Sequence, residues 1–173
     1  MGWAQATALI VAVITVVGAV VTGAVTYGLN QRAGRRERQA RAFAEALTAI
    51  EEYAMMPYRI RRRHNTPEAR NEISVELDKI QSRIAFQHAW LQIEAAEVAV
   101  AYDRLVRAAR SEAGQQMKDA WTRPSPTLDE EMSLGGALPR VEIDVARSNC
   151  ITAMCIALGR RKAEIQTLPS FPR

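Results

Sequence analysis

The sequence predicts an all-α protein, with a single N-terminal transmembrane helix followed by a cytosolic antiparallel helical bundle of coiled-coil character. Three observations predict it. Met1 to Gln31 contains no charged side chain, five arginines follow that run closely, and apolar residues then keep a heptad spacing over residues 73–108.

The apolar run comes first. A bilayer core of ~30 Å needs ~20 apolar residues at ~1.5 Å each, and Ala8 to Val25 is nearly all Ala, Val, Ile, Leu, Gly and Thr. Trp3 and Tyr27 flank it, ~36 Å apart at helical rise, where amphipathic rings favour the headgroup layers. A transmembrane helix over residues 1–30 is expected. A cleaved signal peptide is the rival. It would carry a basic segment ahead of a shorter apolar run, whereas here the basic residues come after. Position 6 is Ala6, where the myristoylation pattern needs Ser or Thr. Within the run, Gly18, Thr22 and Thr26 recur every fourth residue, and Ala19 with Gly23 forms a second small-xxx-small pair. Such stripes let membrane helices approach closely and mark a candidate face for transmembrane association.

Orientation follows from charge. Arg32, Arg35, Arg36, Arg38 and Arg41 follow the run, with only Glu37 among them, and positive flanks stay on the cytoplasmic side. The N-terminus is therefore expected outside and the rest of the chain in the cytosol, at an inner (plasma) membrane. Residues 32–63 carry nine Arg against four Glu, while residues 64–173 carry 14 basic and 15 acidic side chains. The positive excess lies next to the span, where each basic residue near anionic lipid contributes ~1 kcal/mol. Anionic headgroups are thus the expected partner of the collar. Nucleic acid is not, because the distal part has no net positive charge. Arginine outnumbers lysine twenty to three, which points to a GC-rich, bacterial genome.

The juxtamembrane segment, 31–64, reads as helix through Met56, since Phe43, Leu47, Ile50 and Ala54 form one stripe. Gly34 is a point of bending, and Pro57 interrupts or kinks the helix. Arg59, Arg61, Arg62 and Arg63 then form a second basic knot, expected as a solvated surface. Thr66 as N-cap and Pro67 at the first helical position open the next helix.

That helix is expected as one long element over 65–120. Ile73, Leu77, Ile80, Ile84, Gln87, Leu91, Glu94, Val98, Ala101, Leu105 and Ala108 alternate in steps of four and three, a helix-packing seam in heptad register. Gln87 and Glu94 are polar at the seam, which weakens a coil while fixing register. Phe86, Trp90, Ile93 and Val100 lie beside it, and a helix apolar on two adjoining faces belongs in a bundle. The helix is expected to fray near Gly114. Residues 121–138 follow as a linker holding Pro124 and Pro126, then a short helix opened by a capping box at Thr127-Leu128-Asp129-Glu130 and stopped by Gly135-Gly136. The last helix is expected over 139–163, with Val141, Val145, Ile151, Met154 and Leu158 toward the core, and 164–173 as a loose tail.

No residue pattern calls for catalysis, and the chain is expected not to be an enzyme. A di-metal carboxylate bundle needs Glu-x-x-His, yet Arg61 and Ala85 stand three before His64 and His88. Cys150 and Cys155 are five apart, ~140° round a helix, with no nearby His, so they read as small buried side chains. Gly135-Gly136 leads to Ala137 and Leu138 rather than Lys and Ser or Thr, which excludes a phosphate loop. No metal, cofactor or small-molecule ligand is expected. The expected function is a membrane-anchored interaction or scaffold module that recruits a protein partner or assembles with its own copies. The alternative is a small membrane effector of holin-like or phage-exclusion type, acting through an oligomerising span.

Overall fold

The computed structural model describes residues 3–127, 129–132 and 136–160, with side chains excluded at 3–26, Gly28, Leu29 and Asp129. It holds four α-helices, α1 Trp3–Arg61, α2 Pro67–Glu94, α3 Ala96–Thr122 and α4 Val141–Ala157, with a 3₁₀ turn at Asp129–Met132. Among the described residues there is no strand, so the helical bundle expected from the sequence is what forms. The chain divides into two compact units, 1–39 and 40–173. The first is the N-terminal part of α1, and the second is the bundle. Among the described residues no helix is long and apolar enough to cross a membrane. The run assigned to the bilayer, 1–30, lies outside the described side chains except at Tyr27 and Asn30.

Contacts within the bundle fix its directions. Along α1, Glu45 accepts from Gln87, and Glu52 and Arg59 pair with Arg83 and Glu76 of α2. Rising numbers on α1 meet falling numbers on α2, so the two run antiparallel. Tyr102 of α3 donates to the carbonyl of Ala46 at 3.3 Å, and Arg63 just past α1 reaches the carbonyl of Ala120, so α3 runs parallel to α1. Helix α4 returns antiparallel to α3, since Gln116 donates to the Pro139 carbonyl and Glu112, one turn earlier, accepts from the N–H groups of Val141 and Ile143. Arg140 and Arg147 both pair with Glu51 of α1. The topology is up-down-up-down. Ile50, Met56 and Ile60 of α1, Ile80 and Leu91 of α2, Tyr102 and Leu105 of α3, and Ile143 and Cys150 of α4 are fully buried in one core.

The single helix expected over 65–120 is instead two helices that reverse at one residue. Ala95 sits at φ −157° and ψ 69°, ending α2 and opening α3. Its N–H bonds the Leu91 carbonyl at 2.8 Å, and its own carbonyl accepts from Ala99 at 3.0 Å. Both helix ends thereby keep a backbone partner across the reversal. The heptad steps pass through the break because 91, 94 and 98 stay in phase. Only Glu94, exposed beside the turn, departs from the pattern.

Other boundaries are set by chemistry visible only in three dimensions. The N-cap at Thr66 forms as expected, its hydroxyl accepting from Ala69 N–H. Helix α1 runs through Pro57, which is buried, to Arg61. Helix α3 does not fray at Gly114, and ends at Thr122 ahead of Pro124. In place of the capping box expected with Glu130, the carboxylate of Glu131 accepts from Thr127 N–H at 2.7 Å. Helix α4 stops at Ala157, short of the expected 163. Gly159 there takes φ +81°, and Arg160 and Gly159 donate to the carbonyls of Cys155 and Ile156, the double bond of a Schellman ending. Its buried stripe is Ile143, Cys150 and Met154, not Val141 and Val145, which face outward. Arg147 lies in that stripe and reaches Glu51, which masks the core face when apolar spacing alone is read.

Candidate interaction surface

The inward face of α2 and α3 is the predicted seam. Ile80, Ile84, Gln87, Leu91, Val98 and Leu105 are buried, and Ile73 and Leu77 are half-buried against the same core. The seam is used within one chain. Gln87 turns its amide toward Glu45 at 3.3 Å, satisfying a polar group that would otherwise cost free energy inside the core. Glu94, the other polar seam residue, is exposed beside the reversal and sits outside the packed layer.

The residues read as a second packing face behave differently. Trp90 is half-buried, its ring edge-on to Phe43 at 6.5 Å between centroids. Phe86, Ile93 and Val100 stand out in solvent, 66%, 82% and 57% exposed. Scattered exposed apolar residues need no explanation. Phe86 and Ile93, two turns apart on one face of α2, with Val100 beyond the reversal on α3, stand outside a core that is already closed and give a candidate docking surface. On the far side of α3, Val141 and Val145 border a groove of about 380 Å³ with Ala101, Arg104, Glu142 and Asn149.

The collar residues Arg32, Arg35, Arg36, Arg38 and Arg41 are all exposed on α1. The proposed association stripe of Gly18, Ala19, Thr22, Gly23 and Thr26 lies outside the described side chains. The second arginine knot is divided: Arg59 and Arg62 are exposed, as a solvated surface requires, Arg61 is half-buried, and Arg63 departs from the expectation. Arg59 pairs with Glu76, Arg61 donates to the Pro124 carbonyl and Arg62 to the Met132 carbonyl. Arg63 is buried, donating to the carbonyls of Ile60, Ala120, Trp121 and Arg123 with its guanidinium 4.9 Å from the centre of the Trp121 ring. These arginines tie the ends of α1 and α3 and the following loop together. The negative end of the α3 dipole supplies the electrostatic complement.

Titratable groups in the core are structural. Burial pushes the Cys150 thiol up to about 12, and burial with neighbouring Cys150 raises Tyr102 as well. A thiol so protonated is a poor nucleophile. Both cysteines are free and buried. His88 stacks obliquely on Tyr102, ring centroids 6.2 Å apart, a packing role. Among the described residues no group of three or more His, Cys, Asp or Glu is placed to hold a metal ion. In comparison with known proteins the chain matches no family model, no curated protein and no solved structure.

Sequence reasoning missed one further polar site. The Glu112 carboxylate of α3 accepts from the N–H groups of Val141 at 3.0 Å and Ile143 at 3.1 Å, and so caps α4 from a neighbouring helix. Arg140 at the N-cap offers no side-chain bond, and that missing local cap was the signal that another element must supply one.

Proposed function

We propose that this chain is a single-pass, membrane-anchored helical module, resident at the inner membrane with its bundle on the cytosolic side, that holds an apolar surface out to a protein partner. The observation that carries the reading is the outward set of Phe86, Ile93 and Val100 on a bundle whose core closes without them. The uncharged run of Met1 to Gln31 and the arginines after it support the anchor. The mechanism is recruitment. An anchor confines the surface to a plane and raises its effective concentration toward anything else held there. Exposed arginines on α1 hold anionic headgroups.

Two measurements test it. In membranes carrying the full chain, alkaline carbonate is expected to leave the protein in the pellet, and protease added from the cytosolic side to reach the bundle. Release by carbonate, or protection of the bundle, overturns the anchor or its orientation. Phe86→Glu with Ile93→Glu is expected to abolish binding while leaving helicity and thermal midpoint within a few degrees. Unchanged binding removes the surface from the proposal.

A further inference from the structure

Helix α2 carries a second heptad seam. Val75, Lys79, Ser82, Phe86, Ala89 and Ile93 follow steps of four and three, as Ile73, Leu77, Ile80, Ile84, Gln87 and Leu91 do, but two residues later. Two residues turn a helix by about 200°, so the second seam lies opposite the first. The first is directed into the bundle, and all six residues of the second are exposed.

We infer that this outward seam is where a second copy of the chain docks, α2 against α2 in parallel and in register. The inference rests on the anchored-module reading and names its partner. Charge selects both the occupant and the direction. In a parallel pair, the residue before each Lys79-type position faces the residue five further on in the other helix. Here these are Asp78 and Arg83, and two-fold symmetry makes the pair twice. Arg83 is already held by Glu52 of α1, so it is presented in place. The antiparallel alternative that matches Val75 with Ile93 would set Arg83 against the other copy's Arg83. In register, Lys79 meets the other copy's Lys79 and Ser82 the other copy's Ser82; the like charges at Lys79 weaken the pair, and polar seam residues fix its register. Confinement by the anchor supplies the concentration that a weak seam requires.

The test uses the full chain in proteoliposomes. Val75→Cys and Ile93→Cys, made separately, are each expected to cross-link to themselves on mild oxidation. The wild-type chain, whose two cysteines are buried, is expected to stay monomeric on the gel. Phe86→Glu added to Val75→Cys is expected to cut the cross-linked fraction at least tenfold. Asp78→Arg added to Val75→Cys is expected to lower it severalfold, with recovery when Arg83→Asp is also present. Cross-linking only when the two cysteine variants are mixed would show an antiparallel pair and overturn the assignment. No cross-linking in either case overturns the second copy as occupant. Carbonate extraction of the same samples separates this failure from that of the anchor: protein kept in the pellet without cross-links sinks the seam alone.

Discussion

Arg63 shows what a buried charge does here without an acidic partner. Burial lowers its pKa, helped by Arg70 and Arg61, yet the four carbonyls it bonds belong to residues on both sides of the bundle end. Its guanidinium fork spans them, which a single ammonium cannot do. Arg63→Ala is expected to destabilise the fold by about 2–3 kcal/mol, the cost of leaving buried acceptors unpaired, and Arg63→Lys to recover less than half. Denaturant titration of the full chain in detergent checks both. Cys150 gives a pH dependence. Its thiol titrates at about 12 when folded, above its ordinary 9.0. Below pH 9 both states are protonated and the stability is fully present. From there upward the unfolded chain ionises first, and stability falls by up to about 1.4 kcal/mol per pH unit until the folded thiol titrates too. Tyr53 and Tyr102 are raised by burial and act in the same direction. Cys150→Ala is expected to be less stable at pH 8 but to lose less between pH 8 and 10 than the wild type. Equal losses would show that the thiol is not the titrating group.

At the scale of elements, what was legible depended on whether the signal was local. Thr66 and Pro67 mark the start of α2 because the cap uses groups three residues apart. Most of the seam along α2 was readable because period alone places it. The reversal at Ala95 was not readable. It uses neither Gly nor Pro and leaves the heptad phase unbroken, so only the position of Glu94 marks it. The face of α4 was misread because Arg147 interrupts its apolar stripe while Val141 and Val145 imitate one. The exposed surface was seen as apolar, but whether Phe86 and Ile93 pack inward depends on where α1 and α3 lie, which no spacing within α2 contains. The cap of α4 is likewise long-range. Glu112→Ala removes the acceptor for two N–H groups and a negative charge at the positive helix end. A loss of about 1–2 kcal/mol is expected. Hydrogen exchange is expected to rise first at residues 141–144 and to leave residues 150–155 protected. Uniform loss of protection along α4 would mean that the cap acts on docking rather than on the helix end.

For the whole molecule, the question is which part acts. In the anchored-module proposal the span places the bundle and the bundle does the binding. In the effector reading the span itself oligomerises and perturbs the bilayer through Gly18, Thr22 and Thr26, and the bundle is an accessory. Close approach of membrane helices depends on small side chains, because lipid offers no hydrophobic drive between them. Leucine at Gly18 and Gly23 therefore blocks that approach while adding apolar surface, and insertion is preserved. Gly18→Leu with Gly23→Leu is expected to leave membrane retention, bundle stability and binding through Phe86 and Ile93 unchanged. Dye release from vesicles carrying the protein is expected to be at background for wild type and variant alike. Leakage with the wild type that vanishes in the variant, while the bundle still folds and binds, would transfer the function to the span. Should the glycine variant lose the α2 cross-links as well, the two associations are coupled through one assembly, and the outward seam then works only where the membrane helices have already met.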